Sequence, residues 1–322
     1  MTRHSSDSRG AGSAAAFGSA TAASAASAAS ATVVTPATSA TSANSMASAS
    51  SAVPAAACAA LSDGELGELL ERLCDRYNRA EFIDDDPIAI PHRFTARHDR
   101  EIAGFLAATI AWGNRQTIVR NGHRMMHFLD DAPADFVRNA STHELARLDA
   151  FVHRTFNGAD LRDFILALRR FEERFGGLGS FFESRYEATG DLPAVLSEFR
   201  RGFFAAEHAP HCEKHLSSID RGAACKRLCM FLRWMVRRDG RGVDFGEWRR
   251  IPMSALRIPL DLHVGATARA LGLLTRRQND WRAVEETTAA LRRFDADDPV
   301  RFDFALFGIG IDPSRCLSDY LR

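Results

Sequence analysis

Apolar residues recur every three or four positions from residue 61 onward, a spacing typical of helices that bury one face. The first stripe of this kind consists of Leu66, Leu69, Leu70, Leu73 and Tyr77. Ser62 or Asp63 can cap the start of this helix, because a short polar side chain accepts hydrogen bonds from the free backbone N–H groups there. We therefore predict a capped helix that ends near Asn78.

The same spacing predicts further helices over residues 99–112, 116–129, 160–175, 192–206, 223–238, 262–274, 281–293 and 299–307, with loops at 176–180 and 240–242. Residues 82–94 contain three aspartates and two prolines, which favour an ordered, extended segment. Residues 307–311 could form a strand, but Gly308 and Gly310 favour a turn or a close backbone approach. No other segment alternates convincingly like a strand. The predicted fold class is all-α, a compact multi-helix body.

The first sixty residues differ in composition from the rest. Residues 13–60 consist mainly of Ala, Ser and Thr, contain no Leu or Ile, and have Phe17 as their one aromatic residue. So little apolar bulk cannot offset the entropy lost on ordering the chain. We predict a disordered tail over residues 1–60 and one all-α globular domain over residues 61–322.

Targeting and redox features favour a cytoplasmic protein. Ser and Thr interrupt every short Ala run of the tail, so we expect no secretory signal. No apolar stretch is long enough to cross a bilayer, and we expect no membrane partner. The six cysteines lack the spacing of a disulfide framework, which predicts free thiols.

Acidic and basic residues balance over the whole chain, at 41 of each, but not locally. Residues 221–257 contain ten Lys or Arg and three acidic residues. Such an excess of positive charge is a candidate phosphate-binding surface. This surface would suit a protein that binds nucleic acid without catalysing a reaction. A helical protein-interaction module is another possibility, beside the enzyme hypothesis that follows.

One Lys/Asp pair carries the main functional hypothesis. Lys226 lies on the predicted helix 223–238, and Asp261 follows 35 residues later in the sequence PLDLHV. The segment around Asp261 resembles the catalytic-aspartate segment of the helix-hairpin-helix base-excision DNA glycosylases, whose bifunctional members carry a lysine on the preceding helix. The resemblance covers about residues 95–275. It implies a two-lobed helical body in which both residues face a cleft.

The resemblance also implies residues that contact duplex DNA containing a damaged base. The sequence FLAATIAWGNRQ at residues 105–116 is similar to the helix and turn that fill the space left by an extruded base. The implied contacts are Asn114, Arg115, Gln116, Arg221, Gly222 and His263. A second resemblance, carried by PHRF, GNRQ, ACKRLCMFLRWMVR, PLDLHV and DFALFG, is to an uncharacterised family of bacterial hypothetical proteins.

The chemistry of base removal suits these residue types. Cleaving an N-glycosidic bond develops positive charge on the sugar, which the carboxylate of Asp261 would stabilise. A neutral amine on Lys226 would form a Schiff base with the sugar carbon. Phe307 or Trp234 would stack on the extruded base. Arginine cannot supply a neutral amine, and the chain has 39 arginines against two lysines, Lys214 and Lys226.

Two features depart from the glycosylase pattern. The stretch 216–223 before the lysine helix contains a single glycine, where these enzymes have a Gly-rich hairpin that binds DNA phosphate. The gap of 35 residues between Lys226 and Asp261 is matched only in the archaeal oxidised-guanine branch. No cysteine quartet for an iron–sulfur cluster follows, and we expect no cofactor.

Structural roles explain several of the same residues. Asp261 suits a helix N-cap, Lys226 a solvent-facing position, and Asn114 a turn after Gly113. His263 suits a solvated helix face as well as a proton carrier. The group formed by His208, His211, Cys212 and His215, with Cys225 and Cys229, contains zinc-ligand types, but its spacing matches no standard finger. Core packing is the favoured role of the last two, and we predict no metal site.

Overall fold

The computed structural model describes residues 61–311, and this part of the chain is mainly helical, as predicted. Its helices are α1 Asp63–Tyr77, α2 Ala89–His92, α3 Arg97–Thr109, α4 Arg115–Phe128, α5 Pro133–Asn139, α6 Thr142–Arg147, α7 Gly158–Phe175, α8 Leu178–Thr189, α9 Leu192–Phe203, α10 Lys226–Val236, α11 Leu262–Ala270, α12 Trp281–Leu291 and α13 Asp303–Ile311. Short 3₁₀ turns span Ala80–Phe82, Leu148–Ala150, Pro210–His215, Met253–Ala255 and Pro299–Phe302. Strands β1 Val152–His153 and β2 Phe156–Asn157 form an antiparallel hairpin in register Val152↔Asn157.

Local sequence determines where α1 begins. The Ser62 hydroxyl accepts a hydrogen bond from the Glu65 backbone N–H at 3.3 Å, and the Glu65 carboxylate accepts from the Ser62 N–H at 2.8 Å. This reciprocal capping box satisfies two backbone donors that a helix start leaves free. The predicted cap at Ser62 and the predicted end near Asn78 are both confirmed.

Helix α3 lies at the centre of the larger core, with every residue from Glu101 to Thr109 buried. It packs directly on α10. A Cβ atom added at Gly104 would come within 2.8 Å of the Met235 side chain and 3.4 Å of Phe231. The absence of a side chain at Gly104 therefore allows the close approach that places α10 against the core.

Two predictions about irregular segments were wrong, and a third was right only in part. Residues 82–94 are not extended, because turns and helix α2 occupy this segment, and both Ile90 and the N-cap residue Ile88 are fully buried. Helix α8 begins at Leu178, inside the predicted loop 176–180. Residues 307–311 continue α13, although the predicted close approach is confirmed, since a Cβ at Gly310 would lie 2.7 Å from the His263 Cβ.

Buried apolar residues form two clusters, consistent with a two-lobed helical body. The larger one contains residues from helices α2 through α10. It includes a group of packed phenylalanines, among them Phe105, Phe164 and Phe203. The smaller one joins α1 with α11, α12 and α13. Tyr77 and Trp281 pack against both clusters. Lys226 belongs to a helix of the larger cluster and Asp261 to a helix start of the smaller one.

Some expectations concern residues outside the described range, namely the tail 1–60 and the cysteines Cys58 and Cys316. The other four cysteines, Cys74, Cys212, Cys225 and Cys229, are free thiols, as expected. Within residues 61–311, no helix combines the length and the apolar character that a bilayer crossing requires.

Candidate active site between the two hydrophobic clusters

A cleft of about 650 Å³ lies where elements of the two clusters meet. This volume is within the range of roughly 300–1,000 Å³ found for small-molecule sites. Its lining comes from the segment before α2, the α3–α4 turn, the start of α10, the start of α11, and α13. The polar and aromatic members of that lining are Phe82, Asp86, Trp112, Arg115, Ser217, Lys226, Arg227, Arg233, Asp261, His263, Asp303 and Phe307.

Lys226 and Asp261 face each other across this cleft. The Lys226 Nζ lies 3.8 Å from the Asp261 Oδ2, and the two side chains are 27% and 22% exposed. Lys226 is the first residue of α10, and Asp261 is the N-cap of α11. Because both side chains are partly exposed, an incoming molecule could reach them.

Asp261 is held in place by its capping role. Its Oδ1 accepts a hydrogen bond from the Val264 N–H at 2.9 Å, which leaves Oδ2 directed toward Lys226. Its backbone carbonyl accepts a hydrogen bond from the Asn279 side chain at 2.9 Å. The helix N-terminus also favours negative charge on this carboxylate. Capping and a role in the cleft are therefore compatible in one residue.

Two further carboxyl groups, Asp86 and Asp303, line the buried side of the cleft. Burial raises the pKa of Asp303 to about 6, although the Arg233 guanidinium that hydrogen-bonds to it acts in the opposite direction. The charge of Asp261 raises it further. Burial also raises the pKa of Asp86, partly countered by Arg115. Carboxyl groups with raised pKa values are candidate proton donors near neutral pH.

Aromatic rings and arginines form the opposite walls. The Arg115 guanidinium lies 5.1 Å from the Phe307 ring centre and 5.7 Å from that of Phe82. The Arg227 guanidinium lies 5.0 Å from the Trp112 ring centre and donates to the Thr109 carbonyl. Burial lowers the pKa of Arg227 to about 10. Flat apolar surfaces beside fixed cations suit a planar, electron-rich ligand.

The residues predicted to contact DNA divide into two groups. Arg115 and His263 line the cleft with Lys226 and Asp261, whereas the remaining four lie outside its lining: Asn114, Gln116, Arg221 and Gly222. Asn114 is an exposed N-cap, since its Oδ1 accepts from the Thr117 N–H at 3.1 Å. Gln116 is exposed, and Arg221 and Gly222 lie on an exposed turn before α10. Trp234, which we considered for base stacking, is fully buried and cannot stack on a ligand.

Sequence reasoning missed Asp86, Trp112, Arg233 and Asp303 as cleft residues. Asp303 opens the motif DFALFG, and Asp86 ends the acidic run at 84–86, so both were visible without an assigned role. Asp86 and Asp303 are buried because helices distant in sequence pack together, and the residue pattern of a single helix does not predict such packing.

The basic stretch 221–257 is mostly neutralised inside the protein. Arg233 and Arg237 are buried and bind aspartates, Arg250 pairs with Glu183 and Glu187, and Arg257 pairs with Glu285. Within this stretch, and counting only partners among the described residues, Arg221, Arg238 and Arg249 are exposed and have no ion-pair partner. The excess charge counted from the sequence is therefore a poor measure of a phosphate-binding surface.

The fold and the cleft define a helical protein with a Lys/Asp site between two hydrophobic clusters. The chain belongs to the family described as "Protein of unknown function (DUF2400)", whose model matches residues 86–312. This match confirms the expected membership of an uncharacterised family, and it includes both Lys226 and Asp261. No curated protein and no solved structure matches the chain.

Proposed function

We propose that the protein is a DNA glycosylase-like enzyme that removes a damaged base by cleaving its N-glycosidic bond. The observation that carries the proposal is the 3.8 Å separation of the Lys226 amine and the Asp261 carboxylate in one open cleft. The two residues come from separate helices, 35 positions apart, and belong to different hydrophobic clusters. An amine beside a carboxylate is the pair that glycosylase chemistry with a covalent intermediate requires.

The proposed reaction begins with the amine of Lys226. It must lose a proton before attack, and the Asp261 carboxylate, 3.8 Å away, would accept it through one bridging water or after the two groups close to hydrogen-bond distance. The nitrogen lone pair then forms a bond to the sugar carbon while the glycosidic bond breaks. The electron pair of that bond leaves with the base, which takes up a proton. Asp303, with its raised pKa, is a candidate donor of that proton.

The bound nitrogen then loses a proton, and its lone pair opens the sugar ring: a protonated C=N bond forms, the bond from the sugar carbon to the ring oxygen breaks, and that oxygen takes up a proton. Borohydride reduces this Schiff base.

The cleft walls support a flat substrate group. Phe82, Trp112 and Phe307 present aromatic surface to a cavity of about 650 Å³. A base extruded from a duplex is commonly stacked on such rings, and each stacked base contributes about 1–3 kcal/mol. Phe307 is the stacking residue that we favour, because Trp234 is fully buried; the Arg115 guanidinium already lies over one face of the Phe307 ring, so a base would stack on the other face.

Borohydride trapping tests the amine directly. Wild-type protein incubated with oligonucleotides carrying single damaged bases should form a reduced covalent crosslink, and Lys226→Gln should form none. Lys214→Gln is the matched control, because Lys214 is exposed and is the other lysine of the chain. It should crosslink like wild type. The proposal fails if wild type forms no crosslink with any substrate and Asp261→Asn cleaves as well as wild type does.

A non-catalytic nucleic-acid-binding protein is the second candidate, supported by the exposed Arg221 and Arg249. Its affinity for undamaged duplex would fall steeply with salt. Removing one phosphate contact through Arg221→Ala should reduce the slope of log K against log salt by about 1. Weak binding that does not respond to salt would instead favour a protein-interaction module.

A further inference from the structure

A cluster of metal-ligand types lies outside the cleft, where α7 meets the 3₁₀ turn Pro210–His215. Asp160, His211 and Cys212 bring one ligand atom each within 4.8 Å of one another. The Asp160 Oδ1 is 3.0 Å from the His211 Nε2 and 2.9 Å from the Cys212 Sγ. Zinc bonds of about 2.0–2.3 Å place tetrahedral ligands roughly 3.3–3.7 Å apart. Small shifts of these side chains would therefore suffice to enclose an ion.

His215 is an independent indication of a ligand at the same place. It is 3% exposed, and within the described part of the chain its Nε2 has no hydrogen-bond partner, although it lies 3.4 Å from the Asp160 Oδ2. A buried polar atom without a partner is costly, so this nitrogen needs an explanation, and it lies directly beside the Asp160 carboxylate.

The charges of the cluster also favour a cation. Asp160 is fully buried, and the Cys212 thiol lies against both Asp160 and Asp163, at 2.9 and 3.2 Å. Two carboxylates and a thiol thus converge with histidine rings that carry charge only when protonated. Buried carboxylates require a compensating charge, and a divalent ion would supply it.

We propose that this cluster binds one zinc ion through Asp160 Oδ1, His211 Nε2 and Cys212 Sγ, with water in the fourth position and with His215 beside the Asp160 Oδ2, outside the ligand set. Nitrogen, oxygen and sulfur donors together suit zinc better than magnesium or calcium, which prefer oxygen. The Cys212–zinc bond forms as the thiol releases its proton to solvent. The Asp160 Oδ2 keeps its hydrogen bond from the Asn157 N–H at 2.9 Å, so the start of α7 stays capped.

The position of the cluster gives the ion a structural role behind the cleft. The His215 ring stacks on Trp112 with centres 5.6 Å apart, and Trp112 lines the cleft. An ion bound to Asp160 would fix the start of α7 and would lie next to the His215 ring that packs on Trp112. This inference does not depend on the glycosylase proposal.

Metal content and stability test the site on the full-length chain without a histidine tag. After exposure to zinc and extensive dialysis, wild type should retain about one equivalent, and a chelator should lower its melting temperature. His211→Ala should lose the ion, and it should still fold because the His211 side chain is 44% exposed. His208→Ala is the matched control, because that ring faces Glu213 at 3.6 Å rather than the cluster. It should retain zinc.

Cobalt substitution tests the thiolate ligand separately. Cobalt-loaded wild type should show a sulfur-to-metal charge-transfer absorption, which Cys212→Ser should lose while Cys225→Ser keeps it. The proposal is overturned if wild type retains less than about a tenth of an equivalent of zinc and shows no such absorption. It is equally overturned if His211→Ala and His208→Ala retain the same amount of metal, since the cluster would then be an ordinary hydrogen-bonded group.

Discussion

Helix α10 carries cations near both ends, and the two ends differ in what surrounds those cations. At its start, Lys226 contacts Asp261 at 3.8 Å, and about a quarter of each side chain is exposed. Near its end, Arg233 and Arg237 are 4% and 1% exposed. Arg237 contacts Asp298 at 2.8 Å and Asp244 at 3.1 Å, and Arg233 contacts Asp303.

This difference in burial means that a ligand could displace Lys226 from Asp261, whereas it could not displace Arg233 and Arg237 from their aspartates. A partly exposed ion pair contributes little to stability, so substrate could displace Lys226 from Asp261 at small cost. A buried network with several hydrogen bonds resists such change, because removing one member leaves the others charged and unpaired. The network at the end of α10 thus holds α10 against α13, while the start of the helix stays open to the cleft.

The largest expected effect is a loss of folding stability when the buried network at the end of α10 is broken. Arg237→Ala should lower the free energy of unfolding by about 3–5 kcal/mol, because Asp298 would lose its ion-pair partner while buried and Asp244 would keep only Arg233. Urea denaturation measures this. Arg238→Ala is the control: Arg238 is exposed, and among residues 61–311 its guanidinium hydrogen-bonds to the Val236 carbonyl alone, so the change should stay within about 0.5 kcal/mol. Equal losses in the two variants would contradict the buried network.

A smaller effect, dependent on pH, is expected at Asp303, which joins the network to the cleft. Its pKa is raised from 3.8 to about 6 in the folded protein, so between these values the folded state holds the proton more tightly than the unfolded chain. The stability advantage of wild type over Asp303→Asn should therefore shrink as pH rises from about 4 to 6, by up to about 3 kcal/mol, and then level off.

Denaturation of both proteins across this pH range measures the difference. Asp297→Asn, at an exposed position nearby, is the control and should differ from wild type by a constant amount. An advantage of wild type that grows between pH 4 and 6 would mean that the Arg233 contact outweighs burial.

Features of the fold set by neighbouring residues could be predicted from the sequence, and others could not. The start of α1 depends on Ser62 and Glu65, three residues apart, so its cap was predictable. Helix α8 was missed because Gly176 and Gly177 precede it and because its polar and apolar residues are poorly separated. Each strand of the hairpin Val152–Asn157 has only two residues, and so short a strand cannot show the alternation of polar and apolar residues that predicts a strand.

The candidate site shows the same limit. Lys226 and Asp261 were identified by resemblance and line one cleft, but their 3.8 Å separation required two clusters to meet. The basic stretch 221–257 suggested a phosphate-binding surface because its neutralising carboxylates lie far away in the sequence. Asp303 and Asp298, which bind Arg233 and Arg237, come more than sixty residues later. Counting charges along the sequence cannot detect pairing at that distance.

The smallest expected effect on stability is that of replacing Lys226, and it shows whether this residue belongs to a catalytic site or to the structural network. Lys226→Gln should change the free energy of unfolding by less than about 1 kcal/mol, because its pair with Asp261 is long and partly exposed. The same substitution should abolish borohydride crosslinking. Urea denaturation and trapping on one preparation give both values, with Lys214→Gln as the reference for each. A loss of stability comparable to that of Arg237→Ala would place Lys226 in the structural network, and its loss of crosslinking would then say nothing about chemistry.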